Sequence, residues 1–436
     1  MYIGNKVPSL GAFLGTASMA IMLASSAANA FTEKTLHLFC SEKRCADGHE
    51  PLGEVAMDQA GKLYGTTFLG GSSVSYPFPG GGVVFQFIPK TGTYSVIHNF
   101  CSPADCSDGR NPMDVRLVID TKGNLYGTTN EGGVISTGPG VVFELENTRS
   151  GWVEKVLYAF CSKQSKNCHD AGGATSGLTY AGAALGQPYD GTSPLFGTTP
   201  FGGANGGGTV YALMPKAGTK KWSENVLYSF CSQANCADGQ QPDAPPYVDN
   251  AGNLYGTTNG GPDNRGGTVF ELSPNGGGYT ETTLYTFCAQ ANCTDGEEPY
   301  ANVVMNGSGN LLGTAGGGSK NDGVVFELSP DGSQWQYSVL GNFTGANGRG
   351  PLGNLVLDAD GNLFGATTGG GTPQKKGTVF EFNGSIQTLY SFCPEHDCPD
   401  GKNPYAGVIE DGAGNLYGTT WNGGIHHGGT LYEVSP

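Results

Sequence analysis

The sequence predicts an all-β fold of seven four-stranded antiparallel sheets closed into a ring, and three observations carry that expectation. One strand-like phrase returns seven times, cysteines return in close pairs, and residues near the two ends are complementary pieces of one repeat. "NLYGTT" stands at 124–129, 253–258 and 415–420, with variants "KLYGTT" at 62–67, "PLFGTT" at 194–199, "NLLGTA" at 310–315 and "NLFGAT" at 362–367. Counted on the third residue (Tyr64, Tyr126, Phe196, Tyr255, Leu312, Phe364, Tyr417), the steps run from 52 to 70 residues. Periods of this length belong to rings and arrays of repeated sheets. Glycine fills 74 of 436 positions, more than twice its usual share. With 10% aromatic residues that need burial, the surplus means many tight turns rather than disorder.

In chain order, residues 1–30 read as an export signal peptide. Lys6 supplies the positive start, "LGAFLGTASMAIMLASSA" the apolar run, and "ANA" before Phe31 the small-residue cleavage site. Residues 31–436 then form one expected domain, with no later segment apolar enough to span a bilayer. Each unit holds four short runs divided by turn residues. The first resembles "PYANVVMN" at 299–306 and the second is the repeated phrase. The third is "GTVFEL" at 267–272, nearly repeated at 377–382, and the fourth is "VLYSF" at 226–230, echoed by "TLYSF" at 388–392. "DTKGN", "DNAGN" and "DADGN" join the first two runs with residues that tolerate left-handed turns. No stretch sustains a 3.6-residue period, so helices should be rare.

Such meandering units make a β-propeller, with a β-solenoid as the rival. A solenoid begins and ends in atypical capping repeats. Here "KTLHLFC" at 34–40 is a fourth-strand phrase and "GGTLYEVSP" at 428–436 a third-strand phrase. The N-terminal strand is therefore expected to complete the seventh blade. In the repeated phrase, apolar residues on both faces should pack on neighbouring blades. Its glycine should let tapered sheets approach, and its threonines should supply strand propensity.

The twelve cysteines fall as Cys40/Cys45, Cys101/Cys106, Cys161/Cys168, Cys231/Cys236, Cys288/Cys293 and Cys393/Cys398. Isolated close pairs in an exported chain predict local disulfides. Zinc sites gather four ligands, commonly from paired Cys-x₂-Cys arms, and each pair here stands a repeat away from the next.

The pattern "GNLYGTT…GG…GTVFEL" followed by "LYSFC" resembles the GloVer tandem-repeat proteins, exported bacterial chains that end in differing surface anchors. The resemblance covers residues 34–436. It implies export and a repeat architecture but no settled activity, so it lends this chain no catalytic residue. A sorting tail of the kind many members carry is not found before Pro436, which argues against surface anchoring.

A net charge of −16 without a compensating basic cluster excludes nucleic acid and anionic membrane surfaces as partners. G-x-S-x-G, H-E-x-x-H and the phosphate-binding G-x₄-G-K-[ST] do not occur, and no cofactor or metal is expected. Strand alternation puts the Cys-pair loops and the Gly-rich loops after "GTT" on one end of the ring. That end carries most of the variable sequence, where binding residues concentrate on rigid scaffolds. Its candidates are the aromatics Tyr76, Phe78, Phe201 and Trp421, with His426 nearby. The once-per-blade Asp-Gly residues Asp47, Asp108, Asp238, Asp295 and Asp400 are read either as turn formers or as a ring of ligands at the channel mouth. Two breaks in the repeat stand out: an insertion at 181–194 on the opposite, quieter end, and "FTGANGRGP" at 343–351 in place of a Cys-pair loop. The expected function is that of an exported, monomeric binding module for a polysaccharide or another extracellular polymer. The alternatives are a polysaccharide hydrolase or lyase, and a structural envelope protein without activity.

Overall fold

Seven four-stranded antiparallel sheets account for every strand between Thr32 and Ser435. The computed structural model describes Met1 and residues 31–72, 80–103, 105–113, 116–161, 172–174, 176–216, 218–219, 221–262 and 265–436, and Phe31–Pro436 form one compact unit. Each blade has a two-residue inner strand, a second strand of four or five residues, a third of five to eight, and an outer strand of six to nine. In blade one these are Ala56–Met57, Leu63–Thr67, Val83–Ile88 and Thr93–Asn99. The helical pieces described are single 3₁₀ turns of three residues, such as Ala234–Cys236.

Blade seven shows how the ring closes. It takes Ile409–Glu410, Leu416–Thr420 and Thr430–Ser435 from the C-terminal end and Thr32–Leu38 from the N-terminal end. The last two pair antiparallel, from Thr32 opposite Ser435 to Leu38 opposite Thr430. The core has the same geometry. Its buried apolar residues divide into seven clusters, and each bridges one pair of neighbouring blades. The cluster closing the ring joins Phe39, Ile409, Tyr417 and Leu431 of blade seven to Val55, Leu63, Phe85 and Phe87 of blade one.

The repeated phrase owes its residues to these interfaces. Its glycine lies opposite a third-strand aromatic, as Gly256 lies opposite Phe270. A Cβ on Gly256 would stand 2.6 Å from the Phe270 ring, so the glycine is the floor on which that ring lies. The ring then meets, edge to face, the Phe that follows the outer strand of the preceding blade. Phe39–Phe85, Phe100–Phe143, Phe160–Tyr211, Phe230–Phe270, Phe287–Phe326, Phe343–Phe380 and Phe392–Tyr432 all have centroids 4.8–5.3 Å apart. Such pairs add to the area they bury.

The first threonine is more than a strand former. Thr128, Thr198 and Thr257 donate across the interface to the carbonyls of Ser176, Ala244 and Ala301 in the next blade. Thr419 donates to Gly53 in blade one, 3.1 Å away, and so fastens the closing seam. The second threonine turns to its own loop: Thr258 Oγ1 donates to Gly260 O and shares a 2.7 Å hydrogen bond with Thr268. The "DxxGN" turns are held by their aspartate. Asp120 Oδ1 accepts from the N–H groups of Lys122 and Asn124 at 2.8 Å, and Oδ2 accepts from the Asn124 amide.

Candidate functional site

The two ends of the ring differ in what they offer. On the Cys-loop end, Cys40–Cys45, Cys101–Cys106, Cys231–Cys236, Cys288–Cys293 and Cys393–Cys398 are bridged. Cys161 is also disulfide-bonded, while its expected partner Cys168 lies outside the described residues. All ten cysteines of those five bridges hold a left-handed backbone, with φ between 49° and 62°. That conformation is costly for a residue with a side chain, so each loop needs an anchor besides its bridge.

The Asp-Gly aspartates are those anchors. Asp47, Asp108, Asp238, Asp295 and Asp400 are all at most 7% exposed. Asp238 accepts from the N–H groups of Ser232 and Gln233 at 2.9 and 3.1 Å and from Tyr228 Oη at 2.8 Å. Asp295 accepts in the same way from Ala289, Gln290 and Tyr285, and Asp400 from Cys393 and Tyr390. Asp108 accepts from Ser102 N. Asp47 accepts from Ser41 and Glu42 and lies 3.3 Å from His37. Burial works against its charge, but the bonds from His37 and Ser41 prevail and hold its carboxyl at about 2. Where blade six has no Cys pair, Asn347 takes over and accepts from Thr344 N at 2.8 Å. The five carboxylates thus point into their own loops, which is the turn role, and a ring of them open to a cation is not formed. Asp238→Ala should cost about 2 kcal/mol, the price of buried N–H groups left without an acceptor. Urea unfolding checks this, and a loss under about 0.5 kcal/mol would show the anchor to be dispensable.

Other candidates on this end are accessible. Phe201 is 55% and Trp421 37% exposed, with Ile425, Val134 and Ile135 also open on the loops after "GTT". His426 is exposed as well. Tyr76 and Phe78 lie outside the described residues. The side chains described here are spread over blades two, three and seven. Cys288, Cys293 and Glu297 come within metal-binding distance of one another, but both sulfurs are committed to a disulfide.

A cavity opens on the other end. It has a volume of about 1190 Å³ and is lined by the inner strands of blades one to six. Turn residues such as Asp58, Asp120 and Asp358 form its rim, together with Ala183, Ala184 and Gly186–Pro188 of the insertion. The insertion is docked rather than loose: Tyr189 is fully buried, packs on Tyr126 and Tyr180 at 5.2 and 5.1 Å, and offers its carbonyl to Thr121 N. This end, expected from sequence to be the quieter one, therefore holds a concave feature.

One position of the cavity wall abandons the sevenfold pattern. Four residues before each inner turn stand Glu54, Arg116, Gly177, Pro245, Asn302, Asn354 and Gly407. Glu54, Arg116, Pro245, Asn302 and Asn354 line the cavity, as do Tyr180 and Tyr247. Glu54 is 2% exposed. Burial pushes its carboxyl up, against the Arg116 charge and bonds from Asn354 and Gly407, and its Oε1 has no hydrogen-bond partner. Asn302 and Asn354 brace each other: Asn354 Oδ1 accepts from Asn302 N, and Asn302 Oδ1 accepts from Leu355 N. The identities repeat too little to appear in any phrase. The signal lay in aligning the wall positions on the turn aspartate.

The Gloeobacter/Verrucomicrobia repeat matches residues 15–192, 182–314 and 280–436. No curated protein matches the chain. Among solved structures, a fungal alcohol oxidase of the AA5 family in complex with copper is similar over 89% of this chain and 75% of its own, with 15% identity and a TM-score of 0.51. A putative oxidoreductase (glucose dehydrogenase) from Thermus thermophilus matches over 80% and 98%, with 13% identity and a TM-score of 0.43. The Niastella koreensis GH74 enzyme matches over 86% and 50%, with 14% identity and a TM-score of 0.45. At these identities only the first likeness bears on this chain, and it speaks for the fold alone.

Proposed function

The chain belongs to the Gloeobacter/Verrucomicrobia repeat family, and from that premise we propose that it is an exported binding module that takes a polysaccharide chain in its axial cavity. The observation that carries the reading is the wall position just described. Where structure alone is at stake the blades repeat the same residue, whereas here they present a carboxyl, a guanidinium and two amides to one space. Large pockets with a few convergent polar groups are the usual form of a ligand site. Tyr180 and Tyr247 add aromatic surface for the C–H faces of a sugar ring. Export is supported by the disulfides, which persist in oxidising compartments. Among the described residues no helix is long and apolar enough to cross a membrane.

Binding fits this cavity better than hydrolysis. A glycosidase needs two carboxyl groups in separate roles. Glu54 supplies one, but Asp58, Asp120 and Asp358 on the rim are engaged by the backbone of their own turns. Glu54, buried and with its carboxyl pushed up, is the feature that keeps the hydrolase or lyase alternative in play. Incubation with candidate polymers and analysis for shortened products decides between them.

The exposed aromatics of the Cys-loop end support a second reading, in which that face lies along a polymer surface. Two variants separate the ends. Tyr247→Ala should weaken oligosaccharide binding about tenfold, the weight of one aromatic anchor, while Trp421→Ala leaves it within about twofold. Calorimetric titration with both variants tests this. The reverse ranking would return the working site to the Cys-loop end.

A further inference from the structure

Resting on the cavity reading above, we infer that the ligand is an acidic polysaccharide of the uronic-acid type, whose carboxylate is held by Arg116. The chain as a whole carries a net charge of −16, yet three cationic side chains gather in this cavity beside its three rim aspartates. The rim aspartates are committed to their turns. Asp58 accepts from the N–H groups of Ala60 and Lys62 and from Tyr64 Oη. Asp358 accepts from the N–H groups of Asp360 and Asn362 and from the Asn362 amide. By contrast, Arg116, Lys62 and Lys122 line the same space, and among the described residues none of their side chains has an ion pair or hydrogen bond. Arg116 is exposed within the cavity wall.

Its neighbours leave the guanidinium uncovered. The next blade places Gly177 at the equivalent position, where a Cβ would press to 2.9 Å from Arg116 N. The blade after that places Pro245 there, which has no polar side-chain atom. On the other flank lies Glu54. Burial pushes its carboxyl up, against the Arg116 charge and bonds from Asn354 and Gly407, which weakens it as a competing anion. A guanidinium offers two parallel N–H groups that match a carboxylate, and it keeps its charge at every working pH. The Asn302 amide nitrogen has no partner among the described residues, while its oxygen is occupied by Leu355 N. It is free to donate to a ring hydroxyl. Arg116 for the carboxylate, Asn302 for hydroxyls and Tyr180 with Tyr247 for the ring faces make a complementary set.

The test is calorimetric titration of the full chain with four tetrasaccharides. These are an oligogalacturonate, its carboxyl-reduced counterpart, neutral cellotetraose and a sulfated oligosaccharide free of uronic acid. The inference expects the oligogalacturonate to bind at least tenfold tighter than its reduced form and to weaken with added salt. Arg116→Gln should remove that preference without moving the melting temperature, and Arg116→Lys should restore part of it. Equal binding of the reduced and neutral chains would overturn the acidic ligand and leave the cavity reading standing. Tighter binding of the sulfated chain would overturn the carboxylate. Unchanged affinity in Arg116→Gln would overturn the role of Arg116. Binding of none of the four would overturn both the inference and the cavity reading beneath it.

Discussion

A chain lacking residues 32–39 is expected to lose cooperative unfolding and to aggregate. The deletion removes the outer strand of blade seven, from Thr32 opposite Ser435 to Leu38 opposite Thr430. It also removes Phe39, which is fully buried and meets Phe85 of blade one at 5.3 Å. Two losses follow at once. Thr430–Ser435 becomes an unpaired edge, open to pairing with another chain, and the cluster joining blade seven to blade one loses its centre. The Thr419 bond to Gly53 is then too little to hold the seam. The milder Phe39→Ala keeps the strand and should cost about 3–5 kcal/mol, as for other large aromatic deletions. Calorimetry and size-exclusion chromatography of both variants check the pair of effects. If the deleted chain melted cooperatively at the parent temperature as a monomer, ring closure would contribute nothing to stability.

The same seam shows why so much of the architecture could be read from sequence. A closed ring makes each blade meet identical neighbours, so each interface residue recurs once per turn of the pattern. Gly256 under Phe270, and the Phe before each first cysteine, belong to that class. The local disulfides belong to it as well. What the glycine does was only half legible: it was expected to let neighbouring sheets approach, and it makes room for an aromatic of its own sheet. The first threonine was read as strand propensity, yet Thr257 and Thr419 use their hydroxyls between blades. Propensity describes the backbone and cannot report a partner more than forty residues away.

The cavity was illegible for the opposite reason. Its wall position varies from Glu54 to Gly407, and a search for repeats discards whatever does not recur. The inner strands are two residues long, too short for a period to emerge. Conversely, the recurring aspartates drew attention as ligands because they recur. Recurrence in a ring marks what every blade needs, and Asp238 meets such a need by holding Ser232 and Gln233. In this fold a unique side chain facing the axis is better evidence of a ligand than a repeated one.

Stability should fall as pH rises from about 5 to about 8.5, through carboxyls that the fold keeps protonated. At one register position of the outer strand stand Glu33, Glu154, Glu224 and Glu281, opposite Val434, Leu145, Leu213 and Leu272. Burial is the largest influence on Glu33, Glu154 and Glu281 and raises each of them. Glu33 reaches about 7, with Asp400 adding to burial against a bond from Thr35. Glu154 reaches about 8, with Asp108 adding. Glu281 reaches about 6, where a bond from Thr283 opposes and Asp238 adds. Each therefore sits beside the anchoring aspartate of a Cys loop. In blades one and five the position is Tyr94 and Tyr337, which donate to the carbonyls of Asp47 and Asp295 instead. A carboxyl raised on folding stabilises fully below its unfolded value of 4.5 and loses that contribution as pH climbs through its folded value. His98 opposes the trend: burial lowers it to about 4, so its contribution grows as pH rises to about 6.5 and then stops. Three groups outweigh one, and above that point only the glutamates remain. After solvent screening each glutamate is worth on the order of 1 kcal/mol. Glu154→Gln should therefore melt close to the parent near pH 5 but about 1 °C above it near pH 8.5. A parent melting temperature that stays level across this range, or a Gln variant displaced equally at both ends, would show that these carboxyls titrate alike in the folded and unfolded chain.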